Sequence, residues 1–136
     1  MRRNVMAVLC SLALLLMSLS TGCGSGNSAL NPIFQPQISN QADNFQFQAT
    51  GVKNVTQTLT YTWQDTGTAA SINQACAATA GSATITVKDS SGALVYSADL
   101  TANGTFSSSQ GASGGWTIVV TLTNVSGTLN FRVQKM

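Results

Sequence analysis

From Phe45 onward, apolar and polar positions alternate with period two, as they do in strands that bury one face and wet the other. Phe45 and Phe47 alternate with Gln46 and Gln48. In the next run Val55, Leu59, Tyr61 and Trp63 share one parity, broken by Gln57, against Thr56, Thr58, Thr60, Thr62 and Gln64. Ile85 and Val87 alternate with Thr84, Thr86 and Lys88, and Leu94, Tyr96 and Ala98 follow after a turn. Trp116, Ile118, Val120 and Leu122 form a further dry face, and Leu129, Phe131 and Val133 form the last, against Thr128, Asn130, Arg132 and Gln134. Turn chemistry separates these runs: Asp65-Thr66-Gly67, Ala80-Gly81, Asp89-Ser90-Ser91-Gly92, Asn103-Gly104, Gly111 to Gly115, and Asn124-Val125-Ser126-Gly127. About eight short strands at this spacing predict an all-β fold, an antiparallel β-sandwich in Greek-key or jelly-roll order.

Before this pattern the chain changes character twice. Residues 24–41 are rich in Gly, Ser, Asn, Gln and Pro, which predicts a flexible tether with a reach of about 23 Å. Ile33 and Phe34, between Pro32 and Pro36, are the tether residues able to pack on a domain that begins at 42 and runs to 136. Ahead of the tether, Arg2 and Arg3 precede an uncharged, Leu-rich run from Val5 to Ser20. As a helix that run is about 24 Å long, short of the roughly 30 Å hydrocarbon core, so it reads as an export signal over 1–22.

Leu19-Ser20-Thr21-Gly22-Cys23 resembles the lipobox of bacterial lipoproteins. The resemblance implies cleavage before Cys23 and a lipid on its thiol, with acyl chains such as palmitate holding the mature chain to the membrane. Gly24 stands where that family's inner-membrane retention signal is usually Asp, which points to the outer membrane. An ordinary cleaved signal would instead give a secreted protein.

Removing the signal changes the charge balance. The precursor carries +2, but Arg2 and Arg3 depart, leaving Lys53, Lys88, Arg132 and Lys135 against Asp43, Asp65, Asp89 and Asp99. No basic cluster remains to follow phosphates, which argues against a nucleic-acid partner. Cys10 also departs and Cys23 is committed to lipid, so Cys76, flanked by Ala75, Ala77 and Ala78, has no intrachain partner and is expected in the core, the alternative being an intermolecular disulfide.

The chain has no histidine and no glutamate. A serine triad is therefore excluded, and the dispersed aspartates offer no ready carboxylate pair, so no catalytic residue and no cofactor is expected. Asp89-Ser90-Ser91-Gly92 is the one loop with calcium-like content, and a capped hairpin turn explains it without metal. Parity places Trp63 and Trp116 in the core. Tyr61 and Tyr96 are the candidate ligand contacts. The Asn-X-Thr/Ser triplets at Asn54, Asn103 and Asn124 arise by chance in so polar a chain.

The stretch 45–133 also resembles the small jelly-roll domains of the pre-peptidase C-terminal type. The resemblance rests on the hairpin from Ile85 to Tyr96, the strand entry Gly115-Trp116-Thr117-Ile118-Val119-Val120 and the closing Leu129-Asn130-Phe131-Arg132-Val133. The acid-rich edges of that family are absent, so the likeness implies fold and an accessory role only. The expected function is a membrane-anchored, non-catalytic interaction module of the cell envelope, meeting an envelope protein or polysaccharide. The alternatives are a carbohydrate-binding module and a structural envelope component.

Overall fold

The computed structural model describes residues 30–136. The expected export signal 1–22, the expected lipid site Cys23 and residues 24–29 of the expected tether lie outside the described residues. After a 3-10 turn at Pro32–Phe34 come seven strands: β1 (Gln37–Gln41), β2 (Asn44–Asp65), β3 (Ala70–Gln74), β4 (Ala77–Lys88), β5 (Leu94–Asp99), β6 (Gly104–Ser107) and β7 (Gly114–Lys135). Every pairing is antiparallel, and the fold is the expected all-β sandwich.

Its frame is a single ribbon. β2 and β7 each run for 22 residues and pair from Asn44↔Gln134 at one end to Asp65↔Gly114 at the other. Straight, such a strand would extend about 70 Å at about 3.3 Å per residue, far beyond a small domain. The ribbon instead doubles back at its middle, where the register shifts between Ala49 and Gln57. The half with Phe45 and Phe47 then faces the half with Tyr61, and the rings of Phe45 and Tyr61 lie 5.1 Å apart. One layer has the order β1-β2-β7-β3-β6, and the other places β4 and β5 beside the remaining halves of β2 and β7.

The fold-back is built from two matching triplets, Asn54-Val55-Thr56 and Asn124-Val125-Ser126. Val55 pairs with Val125, and both asparagines take positive φ, 50° and 49°. The hydroxyls then bond across: Ser126 Oγ accepts from the Asn54 N–H at 2.9 Å, and Thr56 Oγ accepts from the Asn124 N–H at 3.0 Å. Asn is among the few residues that reach this region with little strain, and bulges of this kind bend a ribbon. Gly81 and Gly127 complete the bend, because a methyl on either would land on backbone of the opposing strand.

Three differences from the sequence reading follow from this frame. The expected eight strands become seven because two pairs of short runs fuse into β2 and β7, while β1, β3 and β6 are short strands too polar to stand out. The tether is shorter than 24–41, since Leu30 is 3 % exposed in the core, Phe34 packs against that core and β1 pairs with β2. Lastly, a register shift between Val87 and Lys88 turns β5, so Val95 enters the core while Leu94 is 58 % exposed.

Candidate functional site

The bend places all the even-numbered threonines of β2's second half on one outer face. The register aligns them into three rows: Thr58, Thr121 and Thr84; Thr60, Val119 and Thr86; Thr62, Thr117 and Lys88. Seven of these nine positions are threonine, and none of the nine is buried. Neighbours sit about 4.8 Å apart across strands and about 6.8 Å apart along them. The grid carries seven threonine side chains, each with a hydroxyl and a methyl, around Val119, with Lys88 at one corner as its charge.

The opposite layer has a different outer face. One row reads Ser39, Gln46, Arg132, Asn73 and Thr105. Arg132 bonds to Gln46 Oε1 at 3.3 Å, and Asn73 Nδ2 donates to Thr105 Oγ at 2.8 Å. Gln37, Ile38, Ser39, Gln46 and Gln48 line a shallow depression of about 200 Å³ beside the edge strand β1. Both faces therefore offer mainly uncharged hydrogen-bonding groups with a single cation each, Lys88 among hydroxyls on one side and Arg132 among amides and hydroxyls on the other.

The aromatic residues are elsewhere. Tyr61 is 7 % exposed and its ring packs between Phe45 and Phe47, which corrects its assignment as a ligand contact. Its hydroxyl is buried without a partner, and burial pushes its pKa up to about 12. Tyr61→Phe removes that orphan, so it is expected to leave stability unchanged or raise it by about 1 kcal/mol in chemical denaturation. A loss above about 1 kcal/mol would show that the hydroxyl is needed. Tyr96 is half-buried against Phe106, and its hydroxyl donates to Gln74 Oε1 at 2.7 Å. The Gln74 amide in turn donates to the carbonyls of Asp99 and Ala102, so Tyr96 ties strands together at a side of the sandwich. Trp63 and Trp116 are fully buried, as parity required. The exposed large apolar residues among those described are Ile33, Ile38, Leu94 and Met136, none of them aromatic.

Cys76 is buried at 4 % exposure, as expected from its alanine neighbours. Its thiol lies 3.3 Å from both the N–H and the carbonyl of Asn130, and burial pushes its pKa up, which disfavours the reactive thiolate. Asn103 clamps the Cys76 backbone through both ends of its amide, so the Asn103 triplet has a structural use.

The aspartates serve turns. Asp89 Oδ1 accepts from Ser91 N, Ser91 Oγ and Ala93 N at 2.9, 2.7 and 2.9 Å, and Oδ2 accepts from Ala112 N at 2.8 Å. The Ala112 N–H leads these donors in lowering its pKa to about 2. Thr66 holds Asp43 below the usual carboxylate range through its N–H and hydroxyl, while Lys135 approaches at 3.7 Å. Asp65 behaves oppositely. Burial raises its pKa, only Oδ1 has a donor, the Gly67 N–H at 2.8 Å, and Oδ2 is unpartnered. Among the described residues no three His, Cys, Asp or Glu side chains gather into a metal-binding group. The 89–92 loop is thus a hairpin cap whose carboxylate oxygens already have donors.

A pH dependence follows with a definite sign. Asp89's folded pKa lies below its unfolded value, so its stabilisation is complete above about pH 4 and is lost as pH falls toward 2. Asp89→Asn is expected to flatten the acid limb of the stability curve between those values. Acid titration followed by circular dichroism measures this, and an unchanged limb would remove Asp89 as its source. Asp65, with a raised pKa, opposes the trend.

No protein-family model matches this chain. No curated protein matches it either.

Proposed function

We propose that this protein is a lipid-anchored, non-catalytic interaction module of the bacterial cell envelope, exported by residues 1–22 and held at the outer membrane through Cys23. Its contact surface is the threonine grid, and its partner is an envelope protein or polysaccharide. The observation that carries the reading is the regularity of that grid: seven threonines in three strand-aligned rows, on a face the core does not need. A flat array of short hydroxyl side chains offers hydrogen bonds at little rotamer cost and without strong charge. A sugar platform of exposed aromatic rings finds no support, because Tyr61 and the tryptophans face inward. Among the described residues no helix is long and apolar enough to cross a membrane. In this reading attachment rests on the lipid that the Leu19–Cys23 resemblance implies.

Two measurements test the proposal separately. Cys23→Ser is expected to move the protein from the membrane to the soluble fraction of envelope preparations, and a variant that stays membrane-bound would end the anchoring reading. A photo-crosslinker at Thr60 is expected to give a discrete adduct in the native envelope that Thr121→Glu abolishes while the melting temperature is retained. An adduct indifferent to Thr121→Glu would remove the grid as the contact surface.

A further inference from the structure

Leu30, the first described residue, is buried in the core and stands seven residues after Cys23, the proposed lipid site. Fully extended, that link spans at most about 24 Å. A domain of this size has a radius of gyration of about 13 Å, so its far side cannot be turned toward a bilayer on so short a lead. The surface around Leu30 must stay near the lipid. The 3-10 turn Pro32–Phe34 occupies that surface, and it is firmly built. Asn31 Oδ1 accepts from the Ile33 N–H at 3.0 Å, and the Phe34 and Gln35 N–H groups bond back to the carbonyls of Asn31 and Pro32 at 3.0 Å each. Leu30 before the turn and Phe34 within it are set into the core or against it. Between these two anchors Ile33 is thrust outward, 74 % exposed, more than any other large apolar side chain described. No charged residue occurs between Arg3 and Asp43, so the turn's own segment carries no charge that would resist transfer from water into a headgroup layer.

We infer that the Pro32–Phe34 turn is a second, non-covalent membrane contact, with Ile33 seated in the interfacial layer of the bilayer that holds the Cys23 lipid. This rests on the anchoring reading above and adds orientation to it. A lipid alone lets a domain swivel, whereas lipid and an apolar tip together fix two points of contact. β1 leads from the turn toward Asp43, so the end carrying Asp43, Thr66 and Lys135 points away from the membrane.

The test uses the full-length lipidated protein in phosphatidylcholine and phosphatidylglycerol vesicles, with Cys76→Ala removing the remaining native thiol. An environment-sensitive dye is attached through Ile33→Cys in one sample and through Leu94→Cys in another. The dye at position 33 is expected to shift to the blue and to be quenched by lipids spin-labelled near the headgroup, while the dye at 94 keeps its aqueous emission. Vesicle flotation with equally aqueous dyes at both positions would overturn the Ile33 contact and leave the anchor standing. Failure to float with the vesicles would overturn both. In the Cys23→Ser variant the dye at 33 is expected to remain aqueous, because a single isoleucine does not hold a domain to lipid unaided.

Discussion

Trp116→Ala is expected to destabilise the domain by about 3–5 kcal/mol, a large share of the roughly 5–15 kcal/mol that holds a domain of this size. Three losses coincide at this site. The side chain is fully buried, so its removal leaves a cavity between the layers. Its indole N–H donates to the Ala112 carbonyl at 2.7 Å, the same residue whose N–H serves Asp89, so the 110–115 loop loses a tie. Its ring also meets Trp63 edge-on at 5.9 Å, a pair worth about 0.5–1.5 kcal/mol beyond area alone. Since Trp63↔Trp116 is a cross-strand pair of the ribbon, the damage falls on its frame. The melting temperature should drop by roughly 12–40 °C at about 4–8 °C per kcal/mol. Far-ultraviolet circular dichroism measures it, and a drop below about 5 °C would refute the central place given to this pair.

The second large effect lies in a segment whose composition suggests it should not matter. Leu30→Ala is expected to cost about 2–4 kcal/mol, the range for a leucine removed from a well-packed core. Deleting 24–36 should cost at least as much, because Phe34 goes too. Ile33→Ala, three residues away at an exposed position, should stay within about 0.5 kcal/mol. Urea denaturation of the three variants distinguishes a packed segment from a plain tether, for which all three would match the parent.

Much of the architecture is legible in the residues. Alternation assigns Phe45, Phe47, Leu59, Trp63, Ile85, Val87, Ile118, Val120, Leu122, Leu129, Phe131 and Val133 to the core, and all are buried. A period-two pattern with large apolar residues leaves a strand one energetically acceptable orientation, so neighbours are not needed to read it. The same signal fails where contrast is low. Gln37-Ile38-Ser39-Asn40-Gln41 carries one apolar residue, yet it forms β1 because β2 offers an open backbone edge. Leu94 has the right parity and the wrong outcome, because a bulge beside Lys88 inverts the face. Ala80-Gly81 and Asn124-Val125-Ser126-Gly127 read as turns, but taken singly the triplets Asn54-Val55-Thr56 and Asn124-Val125-Ser126 resemble chance acceptor patterns, and only their pairing reveals the fold-back.

The threonine grid divides along the same line. Its β2 column, Thr58, Thr60 and Thr62, is visible in the alternation, but nothing in the sequence places Thr117 and Thr121 beside it or Thr84 and Thr86 beyond them. Strand pairing over such separations depends on which edges meet when the ribbon folds. What the sequence determined by itself is local: the identity and dry face of the strongly alternating runs, and the turn role of Asp65 and Asp89. What only the tertiary structure decided is long-range: the fusion of runs into two bent strands, the docking of Leu30 and Phe34, and the assembly of the outer faces. The reason is physical, since periodicity reports how one residue relates to water, whereas register and closure are set by contacts between segments far apart along the chain.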